Sequence, residues 1–130
     1  MSRRAARVKQ IAVEHAEAVA RKQGDSLYWT EKAYVDIVGE EERGDRTIVW
    51  FAFHFICLDR VQSGSDNYSH DVYGGVATFN GEKLVDVTLE KIGGDNPTEW
   101  QMEWAPDDKR YAADATFAAA RDAWWARVKP

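Results

Sequence analysis

Cysteine is nearly missing from this chain: Cys57 stands alone, so an intramolecular disulfide and a cysteine-built zinc site are both excluded. Long apolar runs are missing too, and none approaches the roughly eighteen residues that a membrane span needs. The start, Met1-Ser2-Arg3-Arg4-Ala5-Ala6-Arg7, is basic as a signal peptide would be. The apolar segment behind it is broken by Lys9, Gln10, Glu14, His15 and Glu17, so no h-region follows. A soluble cytoplasmic protein is the expectation. An excess of positive charge is lacking as well. Seventeen basic against twenty-two acidic residues give −5, which argues against a nucleic-acid binder that relies on phosphate contacts. Catalytic signatures are equally sparse: no Walker loop, no Gly-rich dinucleotide turn, no His-Glu-x-x-His and no nucleophile elbow. Accordingly no cofactor, no metal and no catalytic residue is assigned, and the balance leans away from an enzyme.

What the chain does have is apolar content. With 45% hydrophobic residues and 12% aromatics in 130 residues, one domain over 1–130 can bury a core without metal or disulfide help. From Ser2 to about Gln23 an apolar stripe (Val8, Ile11, Ala12, His15, Ala16, Val19) recurs at helical spacing, and Gly24 and Asp25 mark its end. Glu17 and Arg21 stand four apart on the wet face in the favourable order.

The middle of the chain alternates as strands do. Residues 32–39 form a first strand around Val35 and Ile37, and the polar turn of residues 40–45 leads into a second over 46–59. In that second strand Val49, Phe51, Phe53, Phe55 and Cys57 point one way, and Ile48, Trp50, Ala52, His54, Ile56 and Leu58 the other. Both faces are apolar, so the strand must be interior and covered on both sides, or covered on one side by a partner. After a polar loop, residues 72–79 and 82–92 flank Asn80-Gly81, a pair suited to a type I′ hairpin. That turn would place Phe79 opposite Glu82 and Val76 opposite Val85. Val85, Val87 and Leu89 then face inward, and Tyr73, Phe79 and Leu84 lie on the other face. Gly74-Gly75 in mid-strand points to a bulge or to close approach by a helix or ligand. Thr98, Trp100, Met102 and Trp104 alternate as an edge strand, and a closing helix begins near Asp107 or Asp108 with Phe117 and Trp124 on its stripe. The expected class is α+β: an N-terminal helix, an antiparallel meander of about five strands and a C-terminal helix.

Few side chains suggest chemistry. His15 sits on the helix stripe as a core histidine would. His54, with Asp36 or Asp86 on neighbouring strands, could form an acid–base pair inside a pocket. His70 beside Asp71 and near Asp66 fits no calcium-loop spacing, and Cys57 reads as a small buried hydrophobe.

The order of helix and hairpins, with Ile11-Ala12-Val13-Glu14-His15, resembles the cystatin-like fold and the Ala-Val-x-Glu-His stretch of plant cystatin helices. The likeness runs over residues 8–90. That family's protease-blocking hairpin carries Gln-x-Val-x-Gly, where this chain has Glu40-Glu41-Glu42-Arg43-Gly44, so protease inhibition is not carried over. Two functional expectations result. The first is a small cytosolic protein-binding module, of inhibitor, immunity or adaptor type. Its surface would combine Tyr73, Phe79, Leu84 and Trp125 with the acidic tip Glu40, Glu41 and Glu42. Its partner is another protein, most simply a second copy in a homodimer, with no nucleic acid or membrane involved. The second is a pocket protein or acid–base enzyme, with a helix-on-sheet cavity lined by Phe51, Phe53 and Phe55 or headed by His54.

Overall fold

The computed structural model describes residues 3–23, 26–27, 33–59, 67–95 and 115–130. Helix α1 spans Arg3–Gln23, followed by strands β1 (Ser26–Leu27), β2 (Ala33–Arg43), β3 (Arg46–Asp59), β4 (Asn67–Asn80) and β5 (Lys83–Asp95), and helix α2 (Ala115–Val128). All strand pairs are antiparallel. The four long strands run β2-β3-β4-β5, and the two-residue β1 pairs with β3 beyond the end of β2. Among the described residues the meander has four full strands, where about five are expected. The edge strand expected over 98–104 lies outside the described residues, as does the start expected for the last helix.

The two-sided apolar pattern of β3 is answered by one helix on each face. Val8, Ile11, Ala12, Ala16 and Ala20 of α1 lie in one core with Val49, Phe51, Phe53 and Phe55. Small alanines let the helix axis come close, while the phenylalanines fill the gap in a ladder of rings 6.0 and 6.1 Å apart, each tilted by 19°. Each ring is fully buried and contributes about 2–3 kcal/mol of hydrophobic stabilisation. On the opposite face Phe117 and Trp124 of α2 pack on Trp50, Ala52 and Val72. These two residues are seven apart, on one side of the helix. A Cβ on Gly74 would sit 2.3 Å from Trp124 Cε2, and one on Gly75 would sit 2.4 Å from Phe51 Cζ. The glycine pair thus marks close approach on both faces, by the α2 indole and by a core phenyl ring.

Because the helices lie on opposite faces, the basic residues at the two ends of the chain do not form one patch. Several are spent locally. Arg3 meets Glu82 at 3.0 Å, Arg121 meets Asp36 at 2.9 Å, and Arg127 meets Glu90 at 2.8 Å.

The β4–β5 register departs from expectation. Asn80 pairs with Lys83 and Phe79 with Leu84, so the two loop residues are Gly81 and Glu82, with Gly81 at φ 63°. The β2–β3 hairpin repeats the device with Gly44 at φ 63° and Asp45 between Arg43 and Arg46. A left-handed glycine at the first loop position suits the twist of the flanking strands. The ladder then skips Val85, since Thr78 pairs with Asp86. This one-residue slip moves the later side chains of β5 to the other face. Val87 and Leu89 thereby join Tyr73, Ala77, Phe79 and Leu84 on the α1 side.

Among the described residues, no helix is long and apolar enough to cross a membrane.

Candidate ligand site

The polar groups inside the molecule fall into two clusters, one per face of the sheet. The first lies where His15, in the second half of α1, meets Tyr73 in the middle of β4. Here the helix stripe carries His15 in place of an aliphatic residue, and Tyr73 rises from the sheet beneath it. The rings meet edge to face at 4.5 Å and 74°. Tyr73 in turn stacks on Phe53 and Phe55 at 5.4 and 5.8 Å, nearly parallel to both. The floor therefore flanks the phenylalanine ladder, with Tyr73 opposite its middle ring Phe53. Beyond it a cleft of about 520 Å³ opens, lined among the described residues by His15, Ala18, Val19, Lys22 and Tyr73. This volume is in the range of small-molecule sites.

Two residues along β4, on the same face as Tyr73, the buried Asp71 carboxylate receives Lys91 Nζ at 3.1 Å. Burial lowers the pKa of His15 below its ordinary 6.5, and the Asp71 carboxylate acts weakly in the other direction. The ring is thus neutral at neutral pH. Its Nε2 is buried and makes no hydrogen bond to the described residues. The expectation of a hydrogen-bonded core histidine is not met at this nitrogen, because its neighbours there are aromatic rings.

The second cluster is a histidine pair beneath α2. His54 Nδ1 and His70 Nε2 are 2.6 Å apart, one ring donating and the other accepting. The residues are diagonal neighbours, since Ile56 pairs with His70 and His54 with Val72. His54 stacks on Phe117 at 4.2 Å and meets Tyr34 edge-on at 5.6 Å. Both histidines are buried. Among the described residues the imidazole partner of His54 is therefore His70, and it is neither Asp36 nor Asp86. Asp36 shares its face but holds Arg121, and Asp86 lies level with Ile48, far along β3. His70 and the adjacent Asp71 point to opposite faces, and Asp66 lies outside the described residues. Among the described residues no group of three or more His, Cys, Asp or Glu is placed to hold a metal. The Cys57 side chain also lies outside them.

The residues singled out from the sequence do not share one surface. Phe79 is fully buried and Leu84 is half-buried, both in the α1-side core. Both keep the face of the hairpin expected for them, but that face is covered by α1 and is core, as is the opposite face under α2. Tyr73 forms the cleft floor on the α1 side. Trp125 is half-buried on the α2 side, 5.9 Å from the ring of Trp50. Glu40 and Glu42 are exposed at the β2–β3 hairpin end, while Glu41 is drawn to Arg43 at 3.0 Å. Val85 is the large hydrophobic residue left exposed among those described, at 43%. The expected cavity also differs in place. Phe51, Phe53 and Phe55 are packed solid against α1, and His54 is sealed under α2, so the open volume lies at His15 and Tyr73 instead. Lys22, Asp71 and Lys91 were not picked out as members of this site. The one legible signal was His15, a polar residue on an otherwise apolar stripe.

A smaller hollow of about 210 Å³ borders Trp124 and Glu90. Its carboxylate already accepts from Trp124 Nε1 at 3.1 Å and Arg127 Nη2 at 2.8 Å, which leaves little unmet hydrogen-bonding capacity.

No protein-family model, curated protein or solved structure matches this chain.

Proposed function

We propose that this chain is a small-molecule-binding protein whose ligand enters the cleft between α1 and the sheet. The observation that carries the reading is the cleft itself: about 520 Å³ with an aromatic floor, an aliphatic wall at Ala18 and Val19, and polar groups at His15 and Lys22. Apolar enclosure with a few convergent polar groups is the usual anatomy of a ligand site. Cytoplasmic residence and a cystatin-like arrangement of α1 and the meander are part of the same proposal; α2, on the far face, has no cystatin counterpart. A protein-binding role through the exposed Glu40 and Glu42 at the hairpin end is the second reading. It has lost the apolar half of its surface, since Phe79 and Leu84 belong to the core.

Fragment titration of the full chain, followed by amide shifts, tests the proposal. Perturbations gathered on His15, Ala18, Val19, Lys22 and Tyr73 are expected. Binding that maps to the hairpin end, or to the α2 side of the sheet, would overturn it.

A further inference from the structure

We infer that the cleft selects flat aromatic monoanions, their ring lying on Tyr73 and their carboxylate or sulfonate turned to Lys22; the inference rests on the ligand-site reading above. Shape, charge and the placement of the polar groups all favour such a ligand.

The first is shape and surface. Tyr73 continues a set of stacked rings, lying 11° from the plane of Phe53 and 10° from that of Phe55. Tyr73, opposite Phe53 on the neighbouring strand, carries this aromatic surface to the edge of the cleft, where a flat ring can pack beside it. His15 stands edge-on to that platform, with Ala18 and Val19 beside it as a smooth aliphatic wall. Aromatic pairs in such offset or edge-on arrangements gain attraction beyond simple area burial.

The second is the balance of charge. The whole chain carries −5, yet the cleft does not share that sign. Asp71 and Lys91 neutralise one another at 3.1 Å, and His15 is neutral at neutral pH because of its burial. On the same stretch of helix, Glu17 is paired with Arg21 at 3.8 Å. Lys22 remains as the cleft's one uncompensated charge among the described residues, and it is exposed at the mouth. The local charge is therefore that of one cation. A monoanion is matched there, a cation is repelled, and a neutral molecule gains nothing from the lysine.

The third is the position of the polar groups. Lys22 lies seven residues beyond His15, two turns along the same helix side. The aromatic floor and the ammonium group are thus separated along the cleft, and a ligand must carry its ring and its charge at opposite ends.

The test uses the full chain and three probes of matched shape: naphthoate, naphthylmethanol and naphthylmethylammonium, titrated calorimetrically at low salt. Naphthoate should bind most tightly, by about threefold or more over the alcohol, with the advantage fading as salt is added. Lys22→Gln should bring naphthoate down to the level of the alcohol. Ala18→Trp, at an exposed helix position, should block all three by filling the cleft. Equal affinities, or preference for the ammonium probe, would overturn the anion selectivity while leaving the ligand site standing. Unchanged binding in Ala18→Trp, or no binding of any probe, would remove the site and the selectivity together.

Discussion

The two faces of this sheet are closed in different ways. On the α1 side a helix lined with alanines lies close to the strands, and the space is filled by phenylalanines that belong to the sheet. On the α2 side the large side chains come from the helix, and the sheet makes room for them at Ala52 and Gly74. Polar residues follow the same division. The histidine under α2 finds a second histidine and is sealed, whereas the one on α1 finds aromatic edges and borders open volume. A face filled by its own strands can leave a gap at the helix end without losing its core.

Four substitutions probe that contrast. Phe53→Ala should be the most damaging, at about 3–5 kcal/mol, because it empties the middle of the ladder. It should also loosen Tyr73 and weaken naphthoate binding. Full affinity in a destabilised Phe53→Ala would show that the floor does not depend on the ladder. Gly74→Val forces side-chain atoms into the Trp124 indole and should cost about 1–3 kcal/mol. The loss should show as a changed near-ultraviolet dichroism signal with the α1-side cleft still able to bind; an unchanged signal and midpoint would break the account of α2 docking. His54→Leu removes one half of the buried histidine hydrogen bond and should cost about 1–3 kcal/mol. Naphthoate affinity should not follow, and a parallel loss would mean that the two faces are not independent.

The smallest effect concerns acid. Burial favours the neutral His15 ring in the folded chain, while the unfolded chain takes up a proton near pH 6.5. The unfolded state therefore binds more protons in that window, and stability present above 6.5 is lost as pH falls toward the folded value. His15→Gln lacks this component. Its urea midpoint should fall less than that of wild type between about pH 7 and about pH 5. Parallel curves for the two proteins would show that His15 is not desolvated.

The large elements were legible because each carried a period long enough to read. The α1 stripe recurs over about three turns, and the alternation of β3 leaves no face for water, so a covered strand was the consistent outcome. The hairpin register was not legible. Asn80 and Gly81 both tolerate a left-handed backbone, and a two-residue loop can be centred on Asn80-Gly81 or on Gly81-Glu82 with equal local sense. Burial of Phe79 opposite Leu84 decides between them, and that contact spans the hairpin and α1 together. The bulge at Val85 has no local signature either, yet it determines where Val87 and Leu89 point. The histidine pair was hidden for a related reason: the long connection between β3 and β4 conceals which residue of one strand meets which of the other. Tyr73, expected as a surface contact, is a cleft floor because the hairpin face it shares with Phe79 and Leu84 lies under α1, and strand alternation alone does not say which helix covers which face.

All three interruptions of the ladders, at Val38, Val85 and Ile92, fall on β2 or β5, the outermost long strands among the described residues. An unbroken outer strand presents a regular row of amide and carbonyl groups onto which a strand of another molecule can add, and then another. A skipped residue puts that row out of step and increases its twist, so an incoming strand loses register after a few bonds. The same irregularities that obscured the hairpin in the sequence thus discourage open-ended growth of the sheet from molecule to molecule.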